Sequence, residues 1–208
     1  GAGGSVWALE LLMAAGCEVS GASDAGWTPL HAASVSGHME SVVRLVEAGA
    51  DVHARTSQNK RTCLGLAAGF GHSEVAAFLA CKGGTALLHT CNGFRESCAV
   101  VAAVGGHADT LKVLLDAGGR DLAMLPDGGG SSCAHWASTN GHADALRRAL
   151  DVGGKELAML ADGRGESCAI LACRDGHVEA LVVLLEVGGR ALAMLRTKNG
   201  ESCALAAC

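Results

Sequence analysis

The chain has 208 residues, half of them apolar, with a formal net charge of −5 and only 3% aromatic residues. Two Pro and 30 Gly in a background rich in Leu, Val and Ala exclude a disordered segment, where Pro and charge dominate. No basic run exceeds a pair (Lys60-Arg61, Arg147-Arg148), so no nucleic-acid partner is expected. No apolar run approaches the roughly 20 residues that insert into a bilayer.

The opening Gly1-Ala2-Gly3-Gly4 has neither an initiator Met nor the charged and apolar regions from which a secretory leader would be expected, and residues 1–23 are expected to supply only the second half of a unit that then recurs. Gly-His pairs stand at Gly37-His38, Gly71-His72, Gly106-His107, Gly141-His142 and Gly176-His177, spaced by 34, 35, 35 and 35 residues. Nine positions before each Gly stands Thr28, Thr62, Ser97, Ser132 or Ser167, and twelve after it Gly49, Gly83, Gly118, Gly153 or Gly188. The Thr or Ser predicts a helix N-cap, and Pro29 suits the first helical position. The Gly before His suits the left-handed end of a short helix. A carboxylate two residues past each His (Glu40, Glu74, Asp109, Asp144, Glu179) fits the first turn of a second helix. That helix carries an apolar stripe, such as Leu111, Leu114 and Leu115, and is expected to stop at the next Gly.

Thr28-Pro29-Leu30-His31-Ala32-Ala33, then Gly37-His38, then Gly49-Ala50-Asp51-Val52 resembles the ankyrin consensus almost letter for letter. The resemblance loosens later, where Ser-Cys-Ala replaces Thr-Pro-Leu. It implies an all-α ankyrin-repeat solenoid of stacked helix-turn-helix units with extended finger loops. A single array is expected over 1–208: a partial repeat at 1–23, full repeats at about 24–57, 58–92, 93–127, 128–162 and 163–197, and a partial repeat at 198–208. With both ends inside a repeat and no polar capping repeat, the sequence is expected to be a piece of a longer array. His31 has a counterpart only at His135, so the family's Thr–His bond should be missing from most repeats.

All growth is in the finger: the distance from the helix-ending Gly to the next cap rises from 12 to 13 and then 14 positions. The long fingers carry Leu122-Ala123-Met124-Leu125, Leu157-Ala158-Met159-Leu160 and Leu192-Ala193-Met194-Leu195. These residues favour helix over strand, which predicts a short helical turn there in place of a hairpin.

Five of the ten Cys occupy one column, Cys63, Cys98, Cys133, Cys168 and Cys203. Equivalent points on stacked helices lie about 8–10 Å apart, beyond the roughly 7 Å Cα limit of a disulfide, so these thiols are expected to be small buried hydrophobes. They suggest a reducing compartment, the cytoplasm or alternatively the nucleus. The Gly-His imidazoles, one per repeat, are too far apart to share an ion through bonds near about 2 Å, and a structural role at the turn is expected. Gly128-Gly129-Gly130 lacks the strand and the Lys of a phosphate-cradling loop. Ser167 and His177 are repeat columns and form no unique triad. No catalytic, cofactor-binding or metal-ligating residue is expected, nor any enzyme activity.

The family implies a protein partner held on the concave face, by the finger tips and first helices, with the array monomeric within its chain. Columns that vary between repeats are then free for recognition. Those before the cap read Trp27, Arg61, Glu96, Ser131 and Glu166; those before the turn include Val35, Ser36, Phe70, Thr139, Asn140, Arg174 and Asp175. Trp27 and Phe70 stand out, since aromatic side chains dominate interface energetics, although either could simply pack on its neighbour. Trp136 shares the column of Leu66, Val101 and Leu171 and is expected in the core; Trp7 falls in the column of Glu40. The leading reading is a scaffold or adaptor segment. The alternatives are a targeting array for an enzyme or channel elsewhere in a longer chain, and a structural spacer.

Overall fold

The computed structural model describes Leu11 and residues 18–208; Trp7 and most of the first partial unit lie outside the described residues. Helices alternate between two rows. The first row holds α1 (Pro29–Ser36), α3 (Cys63–Gly69), α5 (Cys98–Val104), α7 (Cys133–Thr139), α9 (Cys168–Arg174) and α11 (Cys203–Ala206). The second holds α2 (Met39–Glu47), α4 (Ser73–Leu88), α6 (Ala108–Met124), α8 (Ala143–Met159) and α10 (Val178–Ala193). Each helix packs on its partner in the other row and on the next helix of its own row. The core runs between the rows as one continuous layer through Leu30, Leu45, Leu64, Leu79, Leu111, Leu146 and Leu184. Among the described residues there is no strand, only the bridges Arg55–Thr62, Ala161–Ser167 and Arg196–Ser202, so the solenoid is all-α.

The caps form as the Thr/Ser column requires. Gly65, Val100, Ile170 and Leu205 donate their N–H groups to the hydroxyls of Thr62, Ser97, Ser167 and Ser202. Only in the units with His at the third helical position does a side chain return the bond. Nδ1 of His31 accepts the Thr28 N–H at 3.2 Å, and Nδ1 of His135 accepts the Ser132 N–H at 3.2 Å.

The Gly-His pairs join neighbouring units. Gly37, Gly71, Gly106 and Gly141 all have positive φ, and the imidazole of the following unit lies across each. A Cβ on Gly71 would stand 2.6 Å from Nδ1 of His107. The Nε2 atoms of His72, His107 and His177 then donate to the carbonyls of Val35, Gly69 and Thr139 at 2.8, 3.0 and 2.8 Å. The expected role at the turn is therefore also a clasp between repeats.

The second helices end differently from expectation. In the four later units the break falls one residue past the expected Gly, at Gly84, Gly119, Gly154 and Gly189, each near φ +60 and ψ −155 to −161. The first Gly of each pair leaves room for a Leu four residues on: a Cβ on Gly153 would lie 2.4 Å from Leu157 Cδ2. A short helical segment follows the break, as the Leu-Ala-Met composition predicts, and its Leu side chains (Leu87, Leu122, Leu157, Leu192) are buried. It also forms after Gly84, in a finger without that motif. The doubled glycine is its common signal, and the finger after the lone Gly49 has none.

Candidate protein-binding surface

The finger tips are shaped by side chains that close their own turns. Oδ1 of Asn92 accepts the N–H groups of Phe94 and Glu96, Oδ1 of Asp127 those of Gly129 and Ser131, and Oδ1 of Asp162 those of Arg164 and Glu166. Asn and Asp favour this closure because their short side chains reach the backbone two residues on. Tips also touch in sequence: Gly93 N–H donates to the Asn59 carbonyl at 2.7 Å and Gly163 N–H to the Gly129 carbonyl at 3.0 Å. The fingers thus form a linked edge beside the first row of helices, with two clefts between edge and helices.

The first cleft, about 250 Å³, lies between α3 and α5. Its floor is apolar, from Leu66, Phe70, Val101 and Val104, with Gly65 and Gly69 leaving space, and Arg61, Asn92 and Glu96 form its rim. Phe70 is 55% exposed and stacks on His72, with ring centroids 6.5 Å apart.

The second cleft, about 270 Å³, lies between α7 and α9 and carries more charged side chains among its lining residues. Asp127, Asp162, Glu166 and Asp175 face Arg164 and Arg174 there, around His135 and Trp136. Arg174 holds Glu166 through both guanidinium nitrogens and also reaches Glu201 at 3.4 Å. Trp136 is only part-buried, and its Nε1–H donates to Oδ2 of Asp127 at 2.7 Å. It packs against the core, as its column suggests, while its polar edge braces a finger tip.

His135 repeats the arrangement of His31. In both, Nδ1 accepts a backbone N–H and meets the cap hydroxyl at 2.8 Å, so the neutral ring carries its proton on Nε2. Nε2 of His31 donates to the Arg61 carbonyl at 3.3 Å. Nε2 of His135, a residue 1% exposed, faces the carbonyls of Leu160 and Glu166, the second of which holds the same place before the next cap as Arg61. Burial holds both imidazoles below the ordinary His value, because an apolar surround disfavours the charged form.

Eight of the twelve sequence-predicted contact residues line a cleft: Arg61, Phe70 and Glu96 the first, and Ser131, Thr139, Glu166, Arg174 and Asp175 the second. Trp27, Val35, Ser36 and Asn140 line neither. Trp27 is 39% exposed and stands edge-on to His31. The Val35 carbonyl is held by His72, and Asn140 donates to the Val104 carbonyl. None of the twelve is buried. Sequence reasoning missed Asp127, His135, Trp136 and Asp162. The Asp-Gly dipeptides at 127–128 and 162–163, a turn signal, marked two of them.

The five column thiols are buried and free of disulfides. Desolvation pushes Cys63, Cys98, Cys133 and Cys168 up to about 12, and the thiols of Cys98 and Cys133 donate to the carbonyls of Leu88 and Ala123. Among the described residues no helix is long and apolar enough to cross a membrane, and no group of three His, Cys, Asp or Glu is placed to hold a metal.

Stacked helix pairs, Thr/Ser caps, glycine turns and extended fingers define a helical repeat array. Residues 2–87 match the family model "Ankyrin repeats (3 copies)", and the same helix pairing continues through α10, so the whole described chain is one all-α repeat solenoid. It is similar to the probable E3 ubiquitin-protein ligase XBOS31 of Oryza sativa subsp. japonica, 40% identical over 73 residues, which are 35% of this chain and 16% of that protein. The chain therefore matches only a small part of that relative's length.

Proposed function

We propose that this array binds a protein partner along the face formed by the first row of helices and the linked finger tips, the face the family uses as its concave side. The convergence of the variable columns on two open clefts of that face supports this reading most directly. Constant columns are consumed by the fold, as caps, clasps and core. The positions that change from unit to unit surround unfilled space, bounded by one exposed aromatic in one cleft and by charged side chains in the other. A scaffold or adaptor segment in a reducing compartment, cytoplasm or nucleus, fits the buried, unpaired thiols.

The test is a variant carrying Trp27→Ala and Phe70→Ala. Both side chains are exposed, so the far-UV circular dichroism and melting curve should match the parent, while a purified partner should lose its affinity. A partner bound equally by parent and variant overturns the assignment. The similarity to a probable E3 ubiquitin-protein ligase favours a second reading, in which the array targets an enzyme encoded in the same, longer chain. The full transcript decides this: a catalytic domain in frame with residues 1–208 supports it, and a complete reading frame without one removes it.

A further inference from the structure

We propose that Cys173 and Cys203 form an oxidation site, at which a peroxide joins them in a reversible disulfide that ties α9 to α11. The protein-binding reading does not require it, so the two stand or fall separately.

The pairing follows from a diagonal that runs through the first row. Thiols of one column sit at equivalent points of stacked helices, about 8–10 Å apart, and do not bridge. The sixth residue of one first-row helix, however, lies against the first residue of a following one. Ser34 in α1 meets the Cys63 thiol of α3, and Ser138 in α7 meets the Cys168 thiol of α9. At the next junction the same diagonal sets Cys173 of α9 against Cys203 of α11. The sixth residues of α3 and α5 are Ala68 and Ala103. Among the described residues, this diagonal alone has a thiol at both ends.

A second contact crosses the same junction. Arg174, beside Cys173, reaches Glu201, two residues before Cys203, at 3.4 Å, and α9 and α11 pack on each other. Both thiols belong to the core, yet each residue is 9% exposed, against 3% or less for Cys63, Cys98, Cys133 and Cys168. A small oxidant therefore reaches this pair more readily than the rest of the column. Forming the bond draws the sulfurs closer, a movement open to α11, a single helical turn.

The chemistry balances with hydrogen peroxide as oxidant. One thiolate attacks a peroxide oxygen; the O–O bond breaks, leaving a sulfenic acid and one water. The neighbouring thiolate then attacks that sulfur; the S–S bond forms, the S–O bond breaks and a second water leaves. Each sulfur gives up one electron, the peroxide takes both, and the two thiol protons end in the waters. Burial, and then the closeness of Cys203, push the Cys173 thiol up to about 11. Its thiolate is therefore scarce at neutral pH, and closure answers sustained peroxide in preference to traces. Disulfides of this transient, redox-sensing kind are the ones found in reducing compartments.

In the experiment the reduced 208-residue chain is treated with hydrogen peroxide and blocked with N-ethylmaleimide in denaturant. It is then digested with trypsin without reductant and analysed by mass spectrometry. The expected product is peptide 165–174 joined to peptide 199–208, and dithiothreitol added before the block should abolish it. Each peptide holds two thiols, Cys168 with Cys173 and Cys203 with Cys208, so variants assign the bond. Cys173→Ser and Cys203→Ser should eliminate the joined product, while Cys168→Ser and Cys208→Ser should leave it. Cys173→Ser supplies the hydroxyl that Ser138 carries at the same position, which favours an intact fold. Oxidation of the exposed Cys81 shows that the peroxide has acted. Absence of the joined product at that dose overturns the proposal. So does a product that survives Cys173→Ser or occurs only in disulfide-linked dimers. Should the Cys173 and Cys203 variants unfold, Cys208→Ser still decides: loss of the product there assigns the bond to Cys208 and refutes the pair.

Discussion

The clasp between repeats predicts a specific energetic coupling between Gly71 and His107. His107 Nε2 donates to the Gly69 carbonyl at 3.0 Å, and its ring lies where a Cβ on Gly71 would be 2.6 Å from Nδ1. His107→Ala loses that bond and part of the ring's packing, about 1–2 kcal/mol. Gly71→Ala places an L side chain at φ +77, a left-handed conformation costing about 1–2 kcal/mol, and displaces the ring, forfeiting the same bond for about 1 kcal/mol more. In the double variant the ring is gone, so the displacement has nothing to act on. Its destabilisation should fall short of the sum of the single effects by about 1 kcal/mol. Urea unfolding of the four proteins, followed by far-UV circular dichroism, measures this. Additivity within about 0.5 kcal/mol would falsify the clasp as an energetic unit.

Three further outcomes follow from single features. Gly154→Ala should destabilise by about 1–3 kcal/mol although no atom lies within 4 Å of the added Cβ, because φ +61 with ψ −157 is backbone territory essentially confined to glycine; an unchanged urea midpoint would refute that account of the break. With Ellman's reagent at neutral pH, the exposed Cys81 and Cys208 should react first, while Cys63, Cys98, Cys133 and Cys168, held at about 12, should react only as the chain unfolds. Burial holds His31 and His135 below the ordinary value of 6.5, so below that pH the unfolded chain binds more protons than the folded one. The stability contributed by the neutral rings is present above pH 6.5 and is lost as pH falls through the window beneath it. The urea midpoint should drop between neutral pH and about pH 5, less steeply in a His135→Gln variant; equal slopes would contradict the assignment.

The row architecture was legible because each column answers to a local rule. A cap hydroxyl, a positive-φ glycine and a carboxylate in the first helical turn each act within a few residues of their position, and 34- or 35-residue spacing makes them visible together. The finger helices were legible from Leu-Ala-Met composition, but their cause was not. It lies in the Gly83-Gly84 type of pair, where one glycine admits a leucine and the next reverses the backbone. That needs three-dimensional packing to see. The imidazole clasp was half legible: periodicity gave the histidines a structural role, while their reach of one repeat backward is a property of the stack. The clefts were least legible, because Asp127 and Asp162 close turns within the fingers, and only the packed structure sets them beside His135.

The same comparison identifies where the fold leaves the sequence free. At the third and fourth positions of the first helix the later units read Gly65-Leu66, Val100-Val101, His135-Trp136 and Ile170-Leu171. The cap needs only the N–H of the third residue, which Gly65, Val100 and Ile170 all provide. Nothing in the stack therefore demands a polar pair at 135–136, and what the pair adds is the bond from the Trp136 indole to Asp127 in the finger tip. Replacing His135 and Trp136 together by Val, the residues at 100–101, tests this. The variant should keep the helical content of the parent and lose about 1–3 kcal/mol with the indole's packing and its bond, read by urea unfolding followed by far-UV circular dichroism. An unchanged urea midpoint would show that the brace adds nothing to the stack.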